Sequence, residues 1–265
     1  MCRFLGYIGE ETSLHSVVYD FPHSLEVQSY SPKELLVGNV NLDGFGCGWY
    51  NRKVEKKPAV YATLLPPWAD YRFPTISRAV SSNIILAAVR NATPPFPNEL
   101  SSVFPLHLDN YMFVHNGFIS DYDKCRRSLE NELPDKYFDM ISSRSDSAFI
   151  LALFNWLISE MEPSEKSLKG GVLKTLDWLT EKLNNLGVGA NLNIGISDGE
   201  TMVFTKHEIN GACNSLYLNP SHSKFNKAVL VASEPLDDDR GWESVPDNSL
   251  IEISSGGQYN MSDLK

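Results

Sequence analysis

Cys2 stands directly behind the initiator methionine. A side chain this small at position 2 is one after which an aminopeptidase removes Met1, and removal would leave a cysteine bearing both a thiol and a free α-amine. These groups titrate near ~8.5 and ~7.8 in water, so both are usable around neutrality. The amine can take the thiol proton, directly or through water, and later return one to a leaving amine. This is covalent catalysis with no separate histidine base. A cysteine at this position is also an ordinary small side chain, so the reading requires an oxyanion site and groups that hold a substrate.

Three segments supply such groups. His115-Asn116-Gly117 ends the apolar run from Tyr111 to His115. An Asn amide and a Gly N–H at a strand end can converge on one oxygen, although Asn-Gly is equally a common tight-turn pair. Arg90 ends a second apolar run from Asn83 and is followed by Asn91, Ala92 and Thr93. A guanidinium there can clamp a carboxylate bidentately, with Thr93 adding a hydroxyl; an arginine at a strand end is also a frequent loop anchor. Asp146, within Ser145-Asp146-Ser147, opens a helix and could receive an ammonium group or simply cap the helix. The remaining histidines, His15, His23, His107, His207 and His222, lack metal-ligand spacing, and His115 is better placed to orient its own turn.

The elements that must position these residues follow from periodicity. Strands are expected at 3–8, within 37–50, at 58–65, 83–90 and 111–115, and a helical turn at 76–80. Helices are expected at 121–133, from Ser145 or Asp146 to Ile158, and at 173–186 before Gly187. The helix ending at Ile158 is apolar on nearly all faces and must lie between layers. A hairpin follows, 191–197 and 201–207 around Asp198-Gly199, then strands at 215–218, 228–233 and 249–254. Strands, then helices, then strands again disfavour a doubly wound parallel sheet. The expectation is one α+β domain over residues 2–265 with stacked antiparallel sheets.

Composition narrows the function classes. The 265 residues are 42% hydrophobic and 21% charged, ordinary values for a globular chain. Lys plus Arg is 23 against 33 Asp plus Glu, giving a net charge of −10, and no basic run exceeds Lys56-Lys57 or Arg126-Arg127. Nucleic acid and anionic membrane are therefore poor partners. The four cysteines, Cys2, Cys47, Cys125 and Cys213, have no C-x-x-C spacing. The most apolar run, 148–158, is too short to span a bilayer, and the opening residues lack the regions of a signal peptide. The expected location is the cytoplasm.

Six segments together resemble the class II glutamine amidotransferase family: MCRFLGYIG, NVNLDGFGCGWY, AAVRNAT, FVHNG, SRSDSAF and VASEPL, in that order over residues 1 to about 236. The resemblance implies a four-layer αββα sandwich with two mainly antiparallel sheets, of the N-terminal-nucleophile hydrolase type. It implies that Cys2 attacks a γ-glutamyl amide and that Asn116 and Gly117 form the oxyanion hole. Arg90 would hold the substrate α-carboxylate and Asp146 its α-amine. Thr93 and His115 would belong to the substrate side. No cofactor and no metal are implied.

The identity of the leaving group is less directly encoded. About 30 residues follow VASEPL, too few for a fused synthase. The expectation is a stand-alone hydrolase of a small γ-glutamyl substrate, or a glutaminase subunit that needs a partner enzyme. The segment SLHSVVYDFPHSLEVQSYSPKEL resembles the branch that removes a γ-glutamyl group from a sulfoxide intermediate of ergothioneine formation, and that branch lies close to glutathione-degrading relatives. A non-catalytic binder of γ-glutamyl compounds that keeps Met1 is the alternative from another class. Phe45, Trp49 and Tyr50 are candidates for the leaving-group wall, where aromatic faces would suit a quaternary ammonium, or for the core. Trp242 is a further candidate. Ser233 and Glu234 are expected to brace the N-terminal amine or rim the pocket, and Asp237-Asp238-Asp239 to form a solvated turn.

Overall fold

The computed structural model describes residues 2–35, 38, 40–92 and 98–264. In chain order the strands are β1 (Arg3–Ser13), β2 (Phe45–Trp49), β3 (Ala59–Thr63), β4 (Ser81–Val89), β5 (Leu106–Leu108), β6 (Tyr111–Ile119) and β7 (Ala190–Ser197). They continue as β8 (Thr201–Lys206), β9 (Glu208–Ile209), β10 (Tyr217–Asn219), β11 (Val229–Ala232), β12 (Glu243–Ser244), β13 (Ser249–Ser254) and β14 (Tyr259–Asp263). The helices are α1 (Leu14–Val18), α2 (Leu25–Tyr30), α3 (Phe73–Ala79) and α4 (Tyr122–Glu130), then α5 (Asp135–Phe138), α6 (Asp146–Ser159) and α7 (Leu168–Leu186).

One sheet runs β12-β10-β11-β1-β4-β2-β3; the other runs β14-β13-β8-β7-β6-β5, with β9 beside β7. Every pairing described is antiparallel. Alternation along β1 separates two cores. Leu5 and Tyr7 join Leu14, Val17, Leu25 and Phe73 under α1, α2 and α3. Phe4 and Ile8 point to the other sheet, where Phe4 stacks on Phe204 of β8 with ring centroids 6.1 Å apart. Beyond that sheet, Phe113, Ile194 and Ile196 meet Ile150 and Phe154 of α6 and Val172 and Leu176 of α7. The layers are therefore helix, sheet, sheet, helix.

Local chemistry explains several boundaries. Ser145 caps α6, its hydroxyl accepting from Ala148 N at 3.2 Å. The helix at 173–186 in fact begins at Leu168, capped by Ser167. Gly170 and Gly171 lie in its first turn, where side chains would crowd Met161, Phe154 and Ile158. The pair lets α7 lie close against α6. Gly46 and Gly48 of β2 do face one side, as the spacing 44-46-48 suggests. A Cβ at Gly46 would collide with Phe104 O, and one at Gly48 with Met112 Sδ. What approaches closely there is the second sheet. Among the described residues no helix is long and apolar enough to cross a membrane.

Candidate active site

Arg3 pairs with Val89 across β1 and β4, which brings Cys2 beside the loop that starts at Arg90. The Cys2 side chain is half-buried, with Sγ 3.9 Å from Asn91 O. Burial pushes its thiol pKa up; the nearby Arg90 and Arg3 guanidinium groups pull the other way. Cys2 opens into a small pocket, with a cavity volume of about 50 Å³. Arg90, Asn91, His115, Gly117 and Asp146 line it, together with Ser102, Phe104, Ser145 and Ser147.

The Arg90 loop is braced from below. Arg90 N donates to Gly44 O at 2.8 Å, Asp43 N donates to Arg90 O at 3.0 Å, and Asp43 Oδ2 accepts from Ala92 N at 2.8 Å. Arg90 Nη1 donates to Asn98 Oδ1, and the residue borders the pocket. Thr93 lies outside the described residues. Across the pocket, Asp146 forms the first turn of α6. Its Oδ2 accepts from Ile119 N at 2.8 Å and its Oδ1 from Ser147 N at 2.7 Å. The cap itself is Ser145, so the Asp146 carboxyl is held in place and still borders the cavity.

His115-Asn116-Gly117 does not end its strand. β6 runs on to Ile119, with Asn116 opposite Asn193 and Gly117 opposite Leu192. The Asn-Gly turn is excluded because β7 supplies a full antiparallel partner. Alternation puts His115 under α6, where Nε2 donates to Asn191 O at 2.9 Å and Nδ1 accepts from the Ser147 hydroxyl at 2.9 Å. Burial lowers its pKa against the raising influence of Asp146, so it is neutral and its tautomer follows from these partners. Asn116 is fully buried and points to the first sheet, its amide donating to Ser233 Oγ at 3.4 Å. Asn214 Nδ2 donates to Asn116 O at 2.8 Å, and Asn193 Nδ2 to Asn214 O at 3.0 Å. Gly117 has no room for a side chain, because a Cβ would collide with Asn191 O and His115 Nε2.

The likeness to known proteins runs over the whole described fold. The family model for class-II glutamine amidotransferases matches residues 14–264. The chain belongs to that family. It is 30% identical over 260 residues to the γ-glutamyl-hercynylcysteine sulfoxide hydrolase of Mycobacterium tuberculosis strain CDC 1551, covering 97% of this chain and 94% of that protein. It is 27% identical over 292 residues to the probable glutamine amidotransferase DUG3 of Saccharomyces cerevisiae, covering 96% and 82%. Among solved structures it resembles a class-II domain protein from Silicibacter pomeroyi, with a TM-score of 0.69 at 18% identity over the full length of both chains. The glutamine phosphoribosylpyrophosphate amidotransferase of B. subtilis matches with a TM-score of 0.67 at 14% identity over 99% of this chain and 49% of that one. The amidotransferase fold is thus the αββα sandwich of N-terminal-nucleophile hydrolases.

Several expected pocket residues lie elsewhere. Phe45 and Trp49 point away from the second sheet; Phe45 is fully buried, 5.1 Å from Phe73 ring to ring, and Trp49 packs on the same helix-side core. β2 alternates, so with glycines facing the second sheet its aromatics must face the helices. Tyr50 places its hydroxyl 2.8 Å from Ser197 O, bridging to the end of β7. Glu234 lies behind Cys2, on the helix side of β1, and neither rims this pocket nor borders it. Ser233 holds Phe4 N at 3.0 Å. Trp242 lines a separate cleft with Asp237, Asp238 and Asp239. Asp237 accepts from Trp242 Nε1, and Asp239 ties Ser223, Asn219 and Gly241 into a turn. Ser147, Asn98 and the Asn193–Asn214 pair are supports that the sequence reading passed over. Ser147 had a usable signal, since it follows Asp146 at a helix start; the others become neighbours only by strand pairing and loop closure.

Proposed function

We propose that this protein hydrolyses γ-glutamyl amides through a thioester on Cys2, with γ-glutamyl-hercynylcysteine sulfoxide as its substrate. The reading is carried by one juxtaposition: a cysteine at position 2, a guanidinium, a carboxyl group and a glycine of a buried strand line one small pocket. The relatives' names supply the substrate class. Arg90 takes the α-carboxylate of the glutamyl end and Asp146 its α-ammonium, which presents the γ-carbonyl to Cys2. With Met1 removed, the α-amine accepts the thiol proton and Sγ adds to the carbonyl carbon of the γ-glutamyl group. Asn116 Nδ2–H and Gly117 N–H stabilise the oxyanion. The C–N bond breaks as the ammonium returns its proton to the leaving amine. Water then adds to the thioester, releasing glutamate and restoring the thiol.

The test uses purified protein whose intact mass shows loss of Met1. kcat/KM is compared for γ-glutamyl-hercynylcysteine sulfoxide, glutathione and glutamine. The proposal expects the first to exceed glutamine by about a hundredfold, which needs only about 2.8 kcal/mol of added transition-state binding. Similarity to the yeast protein favours a second reading, in which glutathione is preferred or turnover rises only with a partner enzyme. Robust hydrolysis by protein that retains Met1 would sink the α-amine mechanism.

A further inference from the structure

Two consecutive residues, Ser233 and Glu234, grip the segment Cys2-Arg3-Phe4 from opposite faces of its sheet. On the inter-sheet face, Ser233 Oγ accepts from Phe4 N at 3.0 Å, and Ser233 N donates to Phe4 O at 3.0 Å. On the helix face, Glu234 Oε1 lies 2.9 Å from Arg3 Nε and accepts from Glu34 N at 3.0 Å. Its Oε2 meets His23 Nε2 at 2.7 Å and Lys33 N at 2.8 Å. Arg3 completes the circuit, with Nη1 donating to Cys2 O at 3.4 Å and Nη2 to Glu34 O at 2.6 Å. Both charged side chains have 0% exposure.

Such a pair is a poor source of stability, because desolvating two charges offsets most of their attraction and apolar side chains of similar size do as well or better. Its placement is more telling. The guanidinium fork holds the carbonyl of the cysteine itself, and Glu234 holds the fork. Strand alternation keeps Arg3 out of the reaction pocket, so it cannot touch substrate. We propose that the Arg3–Glu234 pair is a positioning device for Cys2, fixing the cysteine's backbone against Gly117 and Asn116 and setting its electrostatic surroundings. This rests on the reading of Cys2 as nucleophile. The charges around the thiol are the chain's α-amine, Arg3 behind it and Arg90 beside it, with Asp146 on the pocket wall next to the neutral His115. Glu234, Glu34 and His23 lie on the far side of Arg3.

The decisive variant is Arg3→Met/Glu234→Leu in the full chain, which removes both charges together so that neither charge is left buried alone, although His23 and the Lys33 and Glu34 amides lose their acceptor. Three readouts are taken: the melting temperature, kcat and KM on a γ-glutamyl amide, and the pH profile of Cys2 alkylation by iodoacetamide, followed on the Cys2 peptide by mass spectrometry. The expected result is a folded protein whose kcat falls at least about tenfold with KM within about threefold, because a small misplacement of a nucleophile acts on the chemical step. The alkylation profile should move to higher pH, since Arg3, a nearby cation that favours the thiolate, is lost. A folded double variant with wild-type kcat and alkylation overturns the proposal. Should that variant not fold, Arg3→Lys replaces it: the charge is kept and the fork lost, so kcat should drop while the alkylation profile stays near that of the wild type, and an unchanged kcat overturns the proposal. If the wild type turns over no γ-glutamyl amide, the functional reading fails by itself, and the alkylation comparison still decides the role of Arg3.

Discussion

Gly117 is the least replaceable residue of the pocket, because two fixed groups, Asn191 O and His115 Nε2, occupy the place of its side chain. Gly117→Ala must push β6 from β7 or turn His115 out of its bonds, and overpacking of this kind costs about 1–3 kcal/mol. The expected outcome is a lowered melting temperature and lost turnover; a fully active Gly117→Ala protein would contradict the oxyanion assignment. Asn116→Ala should retain the fold better and lose about 10²–10³ in kcat, the usual consequence of removing one of two oxyanion donors. Arg90→Lys should lower kcat/KM, since a point charge cannot reproduce a bidentate fork, and Asp146→Asn should weaken selection for a free α-ammonium. Steady-state kinetics on γ-glutamyl substrates with and without the α-amine check both. Cys2→Ala should abolish turnover, whereas Cys213→Ala, which does not line the pocket, should not.

At the scale of elements, the site depends on a helix start aimed across the end of a strand. Ser145 caps α6 and thereby holds Asp146 and Ser147, which bind Ile119 N and His115 in β6. Ser145→Ala is expected to cost about 1 kcal/mol of stability and to raise KM, because Asp146 loses the first turn that orients it. Thermal melting and kinetics on the same preparation test this; a destabilised variant with unchanged KM would show that Asp146 is held from β6 alone. β2 offers an independent check away from the chemistry. Gly46→Ala drives a methyl group into the Phe104 carbonyl and should destabilise the protein by about 1–3 kcal/mol, with the loss read as a lower denaturation midpoint. A fully stable variant would mean that the sheets are not packed this closely.

The whole molecule carries buried ionisable groups whose shifts set its acid response. Burial lowers the pKa of His115 and of His207 below the ordinary 6.5. The unfolded chain takes up these protons as pH falls through 6.5, and the folded chain does not, so this contribution is complete above that value and is lost towards acid. Glu234 is held below the ordinary 4.5 by His23, the Lys33 and Glu34 amides and Arg3, against the opposing effect of burial. Its contribution is present above 4.5 and disappears as pH drops through the lowered folded value. Both signs point the same way. The melting temperature should decline in two stages, the first as pH falls below about 6.5, governed by histidine, and the second below about 4.5, governed by carboxylates. A flat profile across the first of these ranges would exclude a neutral buried His115. His115→Asn should flatten the first stage and leave the second.

Much of this was legible in the amino-acid order because local chemistry is short-ranged. The cysteine at position 2, the apolar runs ending in Arg90 and His115, the capped helix at Asp146 and the hairpin at Gly199 each declare themselves within a few residues. Their joint order carried the family resemblance and the layered fold. Other features only the tertiary structure decided. Whether Asn116-Gly117 turned or stayed extended depended on β7, some 75 residues away, offering its edge. The helix expected at 173–186 begins five residues earlier, because the glycine pair at 170–171 fits the space that α6 leaves. Phe45 and Trp49 could face a ligand or a core, and the strand's parity against the second sheet settled it. A charge in an apolar strand, Arg3, is visible in sequence as an anomaly, but its counter-ion lies 231 residues away at Glu234. Residues so far apart become neighbours only when β1 and β11 pair, and burial then obliges each charge to find its partner.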